Sequence, residues 1–422
     1  MSKFVLRDYQ QQASDIAVDF FRSKAKGNGI IIAPTGSGKS LLIADVARQL
    51  NGNVIVLQPQ KEILEQNYAK LASYDIEASI YSASLKSKEV GKITFATIGS
   101  VANHMELFDD FAAVIIDECH AVNAAGGQYK DFIEKVPRKI LGLTATPYRL
   151  YSSQGIEVNG KYMPNGSYKP ETYYGDDMRP IAGVKEVNKC ILKFLTRTKP
   201  RIFSKVIYDI GIETLLQQGY LAQVRYFEMN IVDANRVRRN STGRDYDEKS
   251  LAAEFERCSL VERLADIVKR LLSPKDGKPR KGILVFTRFI AESEALCRAV
   301  PGCEVLTGET PAEERNNIIR RFKSGEIKVL SNVGVLTTGF DYPELDTVVL
   351  ACPTMSLAKY YQCVGRIVRP SQGKDAWCID LGGNVDRFGR VEHLRLHEPK
   401  PGMYVVYGWV KNMWKPLTNE YF

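Results

Sequence analysis

The sequence predicts an α/β protein built from two tandem parallel-sheet domains, with a basic, tyrosine-rich segment inserted between them. Three observations predict it. Short apolar runs alternate with helical patterns over residues 1–150 and again from about residue 206, the signature of a parallel sheet covered by helices. A length of 422 residues corresponds to two or three domains at about 100–200 residues each. Residues 151–205 break the pattern: they hold five Tyr, five Gly and four Pro, with ten basic against five acidic residues.

In order, Gly29–Pro34 reads as a buried strand, followed by a Gly-rich turn and a helix through Leu50. Asn53–Gln58 is the next strand, with a helix from about Lys61 to Ser73, and Lys92–Thr97, Ala112–Asp117 and Ile140–Thr144 are further strands. Apolar periodicity is poor in 151–205 until about Val184. Beyond it, Ile212–Gly219 reads as a short helix and Val224–Asn230 as a strand. Residues 235–250, with Arg236, Arg238, Arg239 and Arg244 among Asn, Ser and Gly, read as a solvated loop. Leu260–Leu272 is an amphipathic helix and Gly282–Thr287 a buried strand. Thr310-Pro311-Ala312-Glu313 has the form of a capping box with Pro at the first helical position, opening a helix that buries Ile318, Ile319 and Phe322. Lys328–Asn332 and Thr347–Ala351 are again strands. The tail 399–422 carries Trp409, Trp414 and three Tyr; Met403–Val410 has strand propensity and is expected to pack on the second domain, a stacking surface being the alternative. The expected division is 1–150, 151–205, 206–398 and 399–422.

Composition narrows the class. The apolar fraction of 44% and charged fraction of 25% exclude global disorder and collagen-like chains. No apolar run approaches the length of a membrane span, and the first residues lack the apolar core of a secretory signal. The expectation is an intracellular, cytoplasmic protein. Eight cysteines, at 119, 190, 258, 297, 303, 352, 363 and 378, form no C-x-x-C pair and are expected to be reduced. Net charge is +9, and residues 1–150 are nearly balanced, with 17 basic against 16 acidic, so the excess lies beyond them. A basic second part suggests a polyanionic partner, most simply nucleic acid.

The strongest motif is Ala33-Pro34-Thr35-Gly36-Ser37-Gly38-Lys39-Ser40, after a strand and before a helix. Glycines turn backbone N–H groups inward around a phosphate, and the helix N-terminus adds positive potential. Lys39 is expected to reach the β- and γ-phosphates of ATP, and Ser40 to ligate Mg²⁺. The second motif is Val114-Ile115-Ile116-Asp117-Glu118-Cys119-His120, which places two carboxylates at the C-terminal edge of the sheet. Asp117 fits the Mg²⁺-holding acid and Glu118 the base that activates water. Cys119 and His120 read as parts of this box rather than as a metal pair.

Asp-Glu-Cys-His resembles the DExH box of superfamily 2 helicases, and the resemblance extends over most of the chain. It implies two RecA-like domains. Leu6-Arg7-Asp8-Tyr9-Gln10 looks like the adenine-recognition element, which makes Gln10, with Arg7, the base reader. Leu143-Thr144-Ala145-Thr146-Pro147 matches the element that couples hydrolysis to nucleic acid, with His120, Thr144 and Thr146 as coupling residues. Val335–Pro343, including Gly339 and Asp341, matches motif V. Gln362-Cys363-Val364-Gly365-Arg366-Ile367-Val368-Arg369 matches motif VI. Arg366 and Arg369, at i and i+3, are expected on one side of a helix as arginine fingers that close the ATP site from the second domain, with Gln362. The resemblance places nucleic-acid contacts at Gln58 and Lys61, at Thr97, at Thr287 and Arg288, and at Thr337 and Thr338, where small polar groups suit phosphates.

Within the superfamily the closest resemblance is to RadD-like and XPB-like DNA repair helicases. Unlike the RadD-like proteins, this chain has no cysteine-rich zinc-binding region after the core, and its insertion is longer than their minimal connection. The expected activity is ATP-dependent translocation on, or unwinding of, forked or branched DNA in repair, recombination or replication, by a monomer in a bacterial cell or phage-infected host. Single-strand-binding or recombination proteins are the expected partners. An RNA helicase and the motor subunit of a restriction-type nuclease are the alternatives. The basic insertion is the candidate DNA-gripping element.

Overall fold

The computed structural model describes residues 5–72, 76–136, 138–337 and 339–421, apart from the side chains of Gln66 and Lys70. The first body is a sheet of eight strands: β1 (Asn28–Ile32), β2 (Val54–Gln58), β3 (Ser79–Ser82), β4 (Ser87–Lys88), β5 (Ile93–Thr97), β6 (Ala113–Asp117), β7 (Ile140–Thr144) and, after an excursion, β11. That excursion is β8 (Tyr148–Val158), β9 (Lys161–Pro164) and β10 (Val184–Phe194), and β11 is Phe203–Asp209. The strand order is β11-β1-β7-β6-β2-β5-β3-β4, parallel except at the β3–β4 edge. Strands β2, β5, β6 and β7 are buried at every position, as continuous apolar runs covered on both faces must be. The consequence for function is directional: the phosphate loop, Asp117 and Thr144 all leave the C-terminal ends of adjacent strands.

The second body repeats the plan. Strands β12 (Val224–Glu228), β13 (Ile283–Phe286), β14 (Cys303–Leu306), β15 (Val329–Asn332), β16 (Thr347–Leu350) and β17 (Ala376–Asp380) form a parallel sheet ordered β12-β17-β16-β13-β15-β14. A third, antiparallel sheet is a meander of β18 (Arg395–Lys400), β19 (Met403–Val410) and β20 (Met413–Pro416). Among the described residues, no helix is long and apolar enough to cross a membrane.

Several expectations are corrected. The boundary placed between residues 205 and 206 falls inside β11, which pairs with β1 in the first sheet and supplies partners for backbone groups at that edge. The insertion is a long antiparallel ribbon: β10 pairs β8 from Val184–Val158 to Phe194–Tyr148, and β9 adds a third strand. The segment 235–250 is only partly loop, because Asp247 caps a helix, Glu248–Arg257, by accepting from Ser250 N at 2.9 Å. The capping box at Thr310 does not form; Pro311 is the N-cap of Ala312–Lys323, and the Thr310 hydroxyl accepts from Thr307 N at 3.0 Å. In that helix Ile318 and Phe322 are buried and Ile319 only half so. Cys297 and Cys303 are joined in a disulfide, because the helix Ile290–Ala299 ends where β14 starts and brings their Cα atoms to 4.7 Å. The other six cysteines are free and buried.

The tail meets both the second body and the ribbon. Tyr404 stacks on Phe194 with centroids 5.5 Å apart, and Asn419 accepts from Phe194 N at 3.2 Å while donating to Tyr404 O at 2.9 Å. Trp409 and Trp414 stand edge to face, about two-fifths exposed.

Asn332 ends β15 with its amide fully buried. Its Nδ2 donates to Val285 O at 3.1 Å, and its Oδ1 accepts from Val335 N at 3.3 Å and Leu336 N at 3.1 Å, which fixes the start of the motif V loop. Asn332→Ala leaves these groups unpaired and is expected to lower unfolding free energy by about 2–3 kcal/mol, read by denaturant titration; a change under about 0.5 kcal/mol would show that water replaces the amide.

Candidate functional site

The loop Pro34–Gly38 turns on two glycines with positive φ, Gly36 at 86° and Gly38 at 81°, and the helix Lys39–Gln49 starts directly after it. It forms the floor of a cavity of about 530 Å³ between the two bodies. Its walls include Arg7, Gln10, Thr35, Lys39, Ser40, Asp117 and Glu118 from one body. Gly339, Asp341, Arg366 and Arg369 come from the other. Ser37 is buried in the loop itself. The sequence-predicted phosphate, acid and arginine residues are therefore gathered in one place.

Charge is arranged closely there. Lys39 Nζ lies 3.3 Å from Glu118 Oε1. Burial pushes Glu118 up, but the Lys39 ammonium and His120 outweigh it and hold this carboxyl below the ordinary carboxylate range. Asp117 moves the other way, raised to about 6 by burial and by the neighbouring Glu118 charge. Glu118 sits in the left-handed region at φ 49°, a conformation disfavoured for a non-glycine residue and kept at sites the surroundings over-determine. Ser40 and Asp117 reach opposite ends of one side chain: Ser40 Oγ donates to Asn67 Oδ1, and Asn67 Nδ2 donates to Asp117 Oδ2 at 2.9 Å. A hydroxyl and a carboxylate separated by one amide are hard oxygen donors of the kind Mg²⁺ takes with a nucleotide phosphate, so the residues present fit the ion.

His120 links this centre outward. Gln362 Nε2 lies 3.2 Å from His120 Nε2, so the amide donates to the ring and the ring proton is assigned to Nδ1. Nδ1 faces Thr144 Oγ1 at 2.9 Å and Glu118 Oε2 at 3.3 Å. Thr144 Oγ1 in turn accepts from Thr146 N at 3.0 Å. The predicted coupling residues thus form one hydrogen-bonded chain from the acid box to the second body.

Motif VI is corrected in detail. The helix is Leu357–Val364, and Arg366 and Arg369 lie in the turns beyond it rather than on its face. Gly365 is the reason they reach the site: a Cβ there would stand 3.0 Å from Tyr361 O and 3.1 Å from Thr35 of the phosphate loop. Arg366 is buried, donating to Phe340 O at 2.7 Å and Gln362 O at 3.2 Å. Arg369 pairs with Asp341, and burial lowers it to about 10, so it stays charged at neutral pH.

The nucleic-acid expectations fare differently. Gln58 is fully buried; Thr97 and Thr287 are buried too, because strand ends here cap neighbouring elements. Thr97 Oγ1 donates to Ser82 Oγ at 3.2 Å, and Thr287 Oγ1 shares a hydrogen with Ser293 Oγ at 2.6 Å. Arg288 is engaged by Asp245 at 3.0 Å and Glu248 at 3.2 Å. Lys61 and Thr337 are half-buried, and Thr338 lies outside the described residues.

Sequence reading missed Val5, Leu41, Ile63 and Asn67 of the cavity, and Tyr220 behind it. Asn67 had a signal: it occupies the apolar stripe of its helix, between Ile63, Leu64 and Leu71, where a polar residue needs a reason. Tyr220 lies on the chain crossing between bodies. The Arg7 guanidinium covers its ring at 4.1 Å, Leu221 packs against Gly36, and Ala222 N donates to Val368 O at 2.7 Å. Gln10 Nε2 and Tyr9 Oη both donate to Ser37 O, at 2.9 and 2.8 Å, so the segment expected to recognise adenine props the phosphate loop.

Two parallel-sheet bodies closing on a phosphate loop, an acid pair and two arginines define the nucleotide-binding core of a helicase. The chain matches the family model for the res subunit of type III restriction enzymes over residues 3–149 and that for the helicase conserved C-terminal domain over 262–371. Together with the XPB relatives below, these matches support a superfamily 2 helicase that resembles the XPB-like repair members.

A 51.5 kDa protein of a Lactococcus phage is 25% identical over 83% of this chain and 65% of its own length. The DNA 3'-5' helicase XPB of Kineococcus radiotolerans is 24% identical over 87% of this chain and 58% of its own. The DNA 3'-5' translocase XPB2 of Sulfurisphaera tokodaii is 24% identical over 90% and 82%. The chain thus spans about 58–65% of the first two. In fold it is like the type ISP restriction-modification enzyme LlaBIII bound to DNA, with TM-score 0.58, 18% identity, and coverage of 90% of this chain and 28% of that one.

If Tyr220 supports Arg7, Tyr220→Ala should weaken binding of a fluorescent ATP analogue by about 3–30-fold and narrow the preference for ATP over GTP, while Tyr220→Phe stays near wild type. An unchanged preference in Tyr220→Ala would sink this role.

Proposed function

We propose that the chain is an ATP-driven DNA translocase or helicase, in which hydrolysis between the two bodies moves them against each other and steps DNA held across them. The carrying observation is the composition of the cleft: phosphate loop, Asp117 and Glu118 on one side, Arg366 and Arg369 on the other, and His120 hydrogen-bonded toward both. Bound ATP with Mg²⁺ supplies the phosphoanhydride bond and the divalent charge. Lys39 and the loop N–H groups hold the β- and γ-phosphates. Ser40 and Asp117 are the residues that would hold the ion. Glu118, kept ionised, orients the attacking water and accepts its proton. Arg366 and Arg369 stabilise the charge that develops, and Arg369 leaves Asp341 to do so. Loss of the γ-phosphate removes the anion that holds both arginines, and the His120–Gln362 bond is where the second body registers the change.

The XPB-like resemblance favours forked or branched DNA in repair, recombination or replication, with single-strand-binding or recombination proteins as partners. A second reading, the motor subunit of a restriction-type assembly, is favoured by the match to the type III res subunit model.

The test is ATP hydrolysis alone and with single-stranded, duplex and forked DNA and RNA at fixed salt. Forked DNA is expected to stimulate most; stimulation by RNA alone would overturn the DNA assignment. Glu118→Gln should lower kcat by about 10²–10⁴, and Arg369→Ala by about 10³–10⁵. Gln362→Ala is expected to reduce DNA stimulation more than DNA-free hydrolysis; equal losses in both would argue that the His120 bond only supports the site.

A further inference from the structure

The inserted ribbon is anchored on three sides. β8 follows the Thr144–Thr146 turn directly, and Leu195 N donates back to Pro147 O at 2.8 Å, closing its base. One face docks on the second body: Ser152 Oγ donates to Thr242 O at 2.5 Å, Asn188 Nδ2 to Ser241 O at 3.2 Å, and Cys190 Sγ to Gly243 O at 2.5 Å. The free edge of β10 meets the tail, where Asn419 N donates to Leu192 O at 2.7 Å and Tyr421 bridges Ile191.

Side chains alternate along a strand, so the opposite face carries Arg149, Tyr151, Ser153 and Glu157 of β8 and Lys185, Lys189 and Lys193 of β10. Four cations share this face with Glu157, which pairs with Lys189 at 3.1 Å. The register sets Arg149 directly opposite Lys193, a like-charge pair that destabilises a ladder and that a bound anion would relieve. Arg149 Nη1 donates to Ala121 O at 2.6 Å, which ties this end of the face to the residue after His120.

Aromatic rings interleave with the cations. Tyr162 of β9 folds back over the face, its Oη donating to Ser153 O at 2.7 Å, with Lys189 Nζ 5.4 Å from its ring centre. Tyr421 from the tail meets Tyr162 edge to face at 4.8 Å and is 38% exposed. Lys193 Nζ lies 5.5 Å from the Tyr151 ring.

Rings that stack bases, flanked by ammonium groups that neutralise phosphates, are the chemistry of single-strand binding, whereas a duplex keeps its base faces inside its own stack. We propose that this face of the ribbon binds single-stranded DNA, with Tyr162 and Tyr421 stacking bases and Lys185, Lys189 and Lys193 holding the backbone. The proposal rests on the translocase reading and extends it: one face of the ribbon holds the strand while the other is clipped to the second body, so movement between the bodies reaches the bound strand.

The test uses the full chain and a labelled oligo(dT), with anisotropy measured across a salt series. Lys189→Ala with Lys193→Ala should weaken binding about tenfold and reduce the slope of log K against log salt by about 1.4, two phosphate contacts at about 0.7 each. Tyr162→Ala should weaken it about 5-fold or more and relieve quenching of a 2-aminopurine base in the strand, while Tyr162→Phe, which keeps the ring, stays near wild type. Unchanged slope and affinity in variants that melt like wild type overturn the site, as do equal losses for blunt duplex and single strand. If DNA stimulates hydrolysis yet these variants bind oligo(dT) normally, the ribbon proposal fails and the translocase reading stands. If wild type binds no DNA and no nucleic acid stimulates it, both fail.

Discussion

Close approach of the second body to the phosphate loop is a steric matter before it is an electrostatic one, and three glycines permit it. Gly36 lies against Leu221 and Arg369, Gly365 against Thr35, and Gly339 against Ile63 and Glu62. A Cβ at these positions would stand 3.0–3.5 Å from those neighbours, so even the smallest side chain would press on the facing surface. The cavity, the reach of both arginines and the Gln362–His120 contact all depend on that approach. Motif V and motif VI thus set glycine backbone close against Ile63, Glu62 and Thr35 of the first body, and their charged residues are carried in with it.

Once the bodies are close, the local field does the rest. Lys39, Glu118 and His120 form a partly buried string in which Lys39 and His120 keep Glu118 ionised, and Asp117, beside it, is left harder to ionise. These side chains are largely enclosed, so their interactions are stronger than they would be on a surface. Asn67 and Thr144 hold the neutral ends of the network. A change at the phosphate position therefore meets a set of groups that cannot rearrange singly, which is the property a coupling device needs.

Much of this was legible in the sequence, for identifiable reasons. The phosphate loop, the acid box and the motif VI arginines are local strings whose chemistry demands those residues at those offsets, and the cavity unites them. Strands such as Ile140–Thr144 and Met403–Val410 were legible because their apolar runs are bounded by turns. What was not legible depends on tertiary partners. Gln58, Thr97 and Thr287 look like ordinary polar strand ends, and only packing shows them enclosed. Strand β11 looks like the start of the second body and becomes the edge of the first because β1 needs a neighbour. Tyr220 sits in a crossing segment with no pattern of its own, and its role exists only because Arg7 lies over it.

The path of the chain through the ribbon has a different consequence. It leaves the first sheet at Thr144 and re-enters it at Phe203, and the stem is already zipped at Tyr148 and Phe194. The ends of the excursion are thus pinned together by its own ladder. Lengthening or trimming the tip adds little loop-closure entropy and leaves both sheets in register, since the added cost grows only with the logarithm of loop length. The ribbon is in this sense a module: its tip, between β9 and β10, can diverge in length at small thermodynamic cost, while the stem and the ATP cleft keep their geometry.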